Sequence, residues 1–197
     1  FVKNEGDIIK SYQDWKLINS SALEYNDNNL FLWNINPIES LDDDLDKETS
    51  YCTMISITRK NTTEVSLIYN IKDDIYISAI RGEGAMIENE KLRASNSTSS
   101  VAKFICDNDL VSDNIIATND YDRYNSESIV KDTLKLINGE IDFILINNFD
   151  FLRYQALYLI CREASLLVDL RKTNDNKQWV FLASKAKIFN SVLQLIQ

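Results

Sequence analysis

The sequence contains no histidine, one proline and only four glycines in 197 residues. Without an imidazole there is no serine or cysteine triad built on a histidine base, and no zinc site with a histidine ligand. Gly6, Gly82, Gly84 and Gly139 cannot compose a phosphate-cradling loop or a dinucleotide-binding turn, which need closely spaced glycines between a strand and a helix. The three cysteines, Cys52, Cys106 and Cys161, lie far apart in apolar neighbourhoods without CxxC spacing. They read as buried free thiols in a reducing compartment, not as a disulfide framework. No apolar run approaches membrane-spanning length, and Phe1-Val2-Lys3-Asn4-Glu5 has no signal-peptide pattern, so the expected location is cytoplasmic. The chemistry left open is that of carboxylates and metal ions, or binding without a reaction.

What is present describes a globular chain, 45% hydrophobic and 26% charged, long enough for one large domain or two small ones. Thirty acids against twenty-one Lys and Arg give a formal charge of −9. Such a chain repels phosphate backbones, and with no basic patch in the sequence neither nucleic acid nor an anionic membrane is an expected partner. The acids concentrate at Glu39, Asp42, Asp43, Asp44, Asp46 and Glu48. That run lacks the central glycine and closing glutamate of a calcium loop and reads as a solvated segment. Trp15, Tyr25, Phe31 and Trp33 read as core or interface aromatics rather than a base-stacking platform.

Periodicity divides the chain in two. Val2 to Tyr12 has short helical spacing, and Leu30 to Ile35 reads as a buried strand stopped by Asn36-Pro37. Strands follow at Tyr51 to Arg59, Glu64 to Asn70 and Ile75 to Ile80, with a reversal at Arg81 to Ala85 leading into Met86-Ile87. The faces Val65/Leu67/Tyr69 and Tyr76/Ser78/Ile80 alternate as a hairpin with one buried face requires. Ser95 to Ser100 is loop-like. Beyond it a helix carries Ile129, Val130, Thr133, Leu134 and Ile137 on one face and ends at Asn138-Gly139. Ile141 to Ile146 is a strand, Leu152 to Ala164 a helix with Ala156, Leu159, Ile160 and Cys161 inward, and Trp179 to Ala183 a strand. Ser184 is positioned to cap a closing helix with Ile188, Phe189, Val192, Leu193 and Ile196 as its stripe. The expectation is a mixed α/β (α+β) fold with an antiparallel half at 1–95 and an α/β half at 96–197, together forming one unit.

Several strings, in this order, resemble the inositol monophosphatase family of metal-dependent sugar-phosphate phosphatases. Trp33-Asn34-Ile35-Asn36-Pro37-Ile38-Glu39-Ser40-Leu41 is similar to the family's tryptophan, any residue, apolar, Asp-Pro-apolar-Asp-Gly-Thr. Gly82-Glu83-Gly84-Ala85 followed by Glu88 to Ser95 resembles its Gly-x-Gly-Ala … Asn-Gly … Ser reversal. Ile137-Asn138-Gly139-Glu140-Ile141-Asp142 resembles its Ala-x-Gly-x-Ile-Asp helix end, and Arg162-Glu163-Ala164-Ser165 the start of Arg-Glu-Ala-Gly-Gly. Trp179 to Ser184 is similar to its closing strand. The resemblance covers Trp15 to the C-terminus. It implies a layered αβαβα fold, here with the N-terminal helical part reduced or absent, a commonly dimeric state, and magnesium as the cofactor.

The same alignment implies a degenerate site. Magnesium demands hard oxygen ligands, and activates water for in-line attack on phosphate. The two motif aspartates fall at Asn36 and Glu39, with the Ile38 carbonyl between them, and the phosphate-binding glycine and threonine fall at Ser40 and Leu41. The paired glutamates expected upstream fall at Asn19-Ser20-Ser21, and the last metal-binding aspartate falls at Arg153. Like unit charges about 4 Å apart repel by about 4 kcal/mol at an effective dielectric near 20, and arginine cannot relieve this by losing its proton. A magnesium cluster and Arg153 therefore exclude one another in this register; a shift of one helical turn places Asp150 there instead. The expectation is a pseudophosphatase with no catalytic residue and no bound cofactor, acting through a second copy, another protein or a phosphorylated small molecule. In it Arg153 replaces the metal by pairing with Glu39 or the acidic segment. A weakly active magnesium-dependent phosphatase of inositol phosphate, or a related sugar or nucleotide phosphate, is the alternative. A metal-independent sensor binding a phosphate ester through Arg153 is the other.

Overall fold

The computed structural model describes residues 31–39, 52–60, 62–97, 100–106, 121–127, 129–147, 151–172 and 179–195. The sequence expectations at Val2 to Tyr12, the acidic segment beyond Glu39, and Ile196 lie outside these residues.

Six strands form one antiparallel meander: β1 (Phe31–Glu39), β2 (Cys52–Arg59), β3 (Thr62–Asn70), β4 (Ile75–Ile80), β5 (Gly84–Ile87) and β6 (Glu90–Leu92), in that spatial order. The hairpin register matches the sequence alternation, with Val65 opposite Ile80, Leu67 opposite Ser78 and Tyr69 opposite Tyr76. The buried face is the other one, however. Ser66, Ile68 and Asn70 are buried with Ile77 and Ala79, while Val65, Leu67 and Tyr69 are half-buried. Both faces of this hairpin are rich in apolar residues, so alternation alone fixes the pairing without choosing the inner side.

A second sheet contains β7 (Ala102–Cys106), β8 (Tyr121–Tyr124), β9 (Phe143–Asn147), β10 (Leu167–Lys172) and β11 (Trp179–Ser184) in the order β10-β11-β9-β7-β8. It is mixed: β7 runs parallel to both β8 and β9, whereas β11 is antiparallel to β9 and β10.

Three helices complete the described fold: α1 (Ile129–Asn138), α2 (Phe151–Glu163) and α3 (Ala186–Leu195). In α2, Ala156, Leu157, Leu159, Ile160 and Cys161 are all buried. A helix apolar around most of its circumference is one covered on several sides. It shares a core cluster with Met54, Ile68 and Ile77 of the first sheet, Ile144 and Phe181 of the second, and Leu136 and Ile137 of α1. A second cluster packs α3, through Val192, Ile188, Phe189 and Leu193, against Phe104, Phe143, Leu145, Val180 and Leu182 on the other face of the second sheet. Phe104 and Phe143, cross-strand neighbours, stack at 4.9 Å with Tyr121 edge-on to both. The described order is therefore sheet, helices, sheet, helix.

Both inner helices end in the same way. Gly139 sits at φ +89° while Glu140 N–H reaches back to the Lys135 carbonyl (2.9 Å); Ser165 sits at φ +72° while Leu166 N–H reaches the Cys161 carbonyl (3.0 Å). These are left-handed caps that return orphan carbonyls to hydrogen bonds. Ser184, by contrast, ends β11, and the position before α3 is taken by Lys185, whose side chain turns into the interior.

The three cysteines are buried and none forms a disulfide, and burial pushes the Cys161 thiol up to about 12, which keeps it neutral and unreactive. Burial also raises Asp132, in the first turn of α1, above its ordinary 3.8, against the lowering pull of the Ser126 hydroxyl (2.5 Å), the Glu127 N–H (3.2 Å) and the Lys135 charge. The folded chain thus holds this proton more tightly than the unfolded chain. The contribution to stability is complete below pH 3.8 and is lost as pH rises through the higher folded value. Asp132→Asn removes this term, so in urea unfolding its stability relative to the parent rises with pH across that window; a pH-independent difference contradicts the assignment.

Candidate functional site

The string that begins at Trp33 lies on β1. Its strand does not stop at Asn36-Pro37: Asn36 pairs with Met54 and Glu39 with Cys52, so one extra residue is absorbed between them as a β-bulge. Proline cannot donate to a ladder, and a bulge is one of the few places a strand tolerates it. The result carries the backbone of Ile38 and Glu39 to the end of the sheet beside Cys52.

Asn34 and Asn36 are two apart on an extended strand and share a face, and both are half-buried. On that face Asn34 Nδ2 donates to Gln155 Oε1 of α2 (2.8 Å), and Ser56 Oγ of β2 donates to the same oxygen (3.2 Å). Gln155 and Ser56 are buried. The early turns of α2, which hold Arg153, are thereby tied to the strand that holds Asn36 and Glu39. The structure brings these backbone segments together. The side chains of Ile38, Glu39 and Arg153, and the whole of Ser40, Leu41 and Asp150, lie outside the described residues. Sequence reasoning missed Gln155. Its signal was a neutral polar residue opening the inward run Gln155-Ala156-Leu157 of α2, matched by polar Ser56 after Met54 on the inner face of β2.

The described side chains on this face, Asn34, Asn36, Ser56 and Gln155, are all neutral. Among the described residues no group of three or more His, Cys, Asp or Glu is placed to hold a metal ion. Magnesium is usually held by one or two carboxylates together with waters and substrate oxygens, and the described side chains on this face supply no carboxylate.

The other strings that carry the family resemblance meet one another in space. The Glu163 carboxylate accepts both Gly82 N–H (3.0 Å) and Gly84 N–H (3.1 Å), clamping the β4–β5 turn to the end of α2. Ala94 N–H donates to the Ala164 carbonyl (2.7 Å), and Ser95 N–H to Ile137 (2.8 Å). A Cβ on Gly139 would lie 2.9 Å from Ser95 Cβ, which explains why glycine stands there. Asp142, closing the same string, pairs with Lys185 at the end of β11 (2.8 Å), both almost fully buried. Strings that are weak one at a time are the contact points of one framework.

That framework, an antiparallel sheet and a mixed sheet enclosing α2 with α3 outside, is the inositol monophosphatase fold. An inositol monophosphatase family protein from Staphylococcus aureus MSSA476 superposes with a TM-score of 0.69 over 95% of this chain and 78% of that one, at 14% identity. An IMPase/NADP phosphatase complexed with Mg2+ and phosphate superposes at 0.68 over 95% and 79%, at 16% identity. In sequence, the chain is 31% identical over 91 residues to Nus factor SuhB of Buchnera aphidicola subsp. Schizaphis graminum, a match covering 45% of this chain. It spans about a third of that relative's length (33%). No family model matches the chain. The resemblance read from the strings thus holds in fold and in sequence. Among the described residues no helix is long and apolar enough to cross a membrane.

Proposed function

We propose that this chain is a degenerate member of the inositol monophosphatase family, a pseudophosphatase that acts by binding. The observation that supports this most directly is the junction of β1 and α2, which the described side chains join by the neutral Asn34–Gln155–Ser56 hydrogen bonds. The substitutions at Asn36, Ser40, Leu41 and Arg153 remove the charge and hydroxyl that hydrolysis in this family uses. The partner is a second copy of the chain or another protein. Support comes from β1, an edge strand among the described residues, which leaves Phe31 and Trp33 each 53% exposed.

A residually active magnesium-dependent phosphatase is the second reading. It is favoured by the acid retained at Glu39 and by the fold shared with a phosphatase complexed with Mg2+ and phosphate. Phosphate release from inositol 1-phosphate separates the two. No release above a protein-free blank, with magnesium present, supports binding alone; magnesium-dependent release establishes the second reading.

A further inference from the structure

At the end of the first sheet remote from Glu39 and Cys52, the start of β3, the residue after β4, α2 and β10 line an open cavity of about 490 Å³. The described residues lining it are Thr62, Thr63, Arg81, Tyr158, Val168, Asp169 and Leu170. Its size lies within the range of small-molecule sites.

The charges around it are arranged unevenly. Arg81 donates its Nε to the Thr63 carbonyl (2.8 Å), which fixes the guanidinium, while its two Nη groups make no hydrogen bond with a described residue. Glu64 forms a long ion pair with Arg81 at the same Nε (3.7 Å), so the Nη edge is left to the cavity. The acid in the wall, Asp169, is already paired with Arg171. Tyr158 lies beneath Arg162, whose Nη1 donates to the phenol oxygen (3.0 Å) and whose guanidinium carbon is 5.8 Å from the ring centroid. Three of the chain's seven arginines therefore gather here, in a molecule of net charge −9. Arg171 is paired with Asp169, Arg162 is held against Tyr158, and Arg81 is anchored through Nε by Thr63 and Glu64 with its Nη groups bonded to no described residue. An anchored guanidinium with both Nη groups available is the arrangement that receives a planar carboxylate or a phosphate in two parallel hydrogen bonds. Val168, Leu170 and the Tyr158 ring supply the apolar wall beside it.

We infer that this cavity is a binding site for a small organic anion, its carboxylate or phosphate held by Arg81 and its apolar body lying against Tyr158, Val168 and Leu170. The site is separate from the β1–α2 junction and requires neither metal nor turnover, so it stands whether or not the chain hydrolyses phosphate esters.

The test uses the full chain stripped of metal, titrated with benzoate and with phenyl phosphate by calorimetry and ligand-observed NMR. Saturable binding of at least one probe in the millimolar range or tighter is expected, unchanged by magnesium and weakened about tenfold or more by Arg81→Gln. The preferred probe identifies the headgroup. Val168→Trp, which fills the cavity without touching the Arg81–Thr63 bond, also abolishes binding, and it decides the matter should Arg81→Gln fail to fold. Absence of binding by both probes overturns the inference, as does binding that survives either substitution.

Discussion

Lys185→Met lowers the stability of the fold by about 3 to 5 kcal/mol, the cost of breaking a buried ion pair from one side. Lys185 and Asp142 have side chains only 3% and 2% exposed. The ammonium spends its protons on Asp142 Oδ1 (2.8 Å), the Ser97 carbonyl (2.6 Å) and the Gly139 carbonyl (3.3 Å). Asp142 Oδ2 accepts the Lys103 N–H (2.9 Å). One side chain therefore holds together the loop after β6, the cap of α1, the strand pair β7–β9 and the start of α3. Methionine matches the length of the stem but leaves a buried carboxylate facing apolar atoms and two carbonyls without a donor. Urea unfolding at neutral pH measures the loss. Adding Asp142→Asn recovers part of it, because the stranded charge is gone, and a loss under about 1 kcal/mol in the single variant contradicts a buried pair.

Gln155→Leu costs about 1 to 3 kcal/mol, whether or not magnesium is present. The substitution keeps the volume but removes the single oxygen that accepts from both Asn34 and Ser56. Ser56 is buried and loses an acceptor outright; Asn34, half-buried, recovers some hydration. The effect belongs to the junction that the family resemblance implies a metal would bridge. Equal loss in chelator and in magnesium, read from thermal or urea unfolding, is the expected result. A loss that magnesium reverses contradicts a hydrogen-bonded tie.

The parts of the fold that were legible from the residues are those with local signals. The β2–β3–β4 meander follows from alternation and tight turns, and the ends of α1 and α2 from apolar spacing and from Asn138-Gly139. β6, β7, β8 and β10 carry no such signal; Glu90–Leu92, read as part of a turn, is a three-residue strand. Ala102–Cys106 is five residues without alternation, Tyr121–Tyr124 is a half-charged edge, and β7 pairs in parallel with strands reached only through long connections. Parallel pairing leaves no hairpin turn to announce it. At the site, Asn36, Glu39 and Arg153 are expectations that rest on the motif, which puts them at fixed positions in the sequence. Gln155 was not legible, since its partners Asn34 and Ser56 are distant in sequence and only the packing of α2 on the sheet unites them. Ser184 was misplaced as a cap for a related reason: the strand register with Leu167 extends β11 by one residue, and Lys185 is drawn inward by Asp142.

The chain is proposed to keep the phosphatase fold without the metal chemistry. Calorimetric titration of the full, metal-stripped chain with magnesium chloride tests it most directly, with phosphate release from inositol 1-phosphate followed in the same samples. The account predicts no saturable heat in the millimolar range and no release. Saturable magnesium binding at millimolar concentration or tighter, accompanied by release, contradicts it and favours the register in which Asp150 stands at the position the motif alignment gives to Arg153.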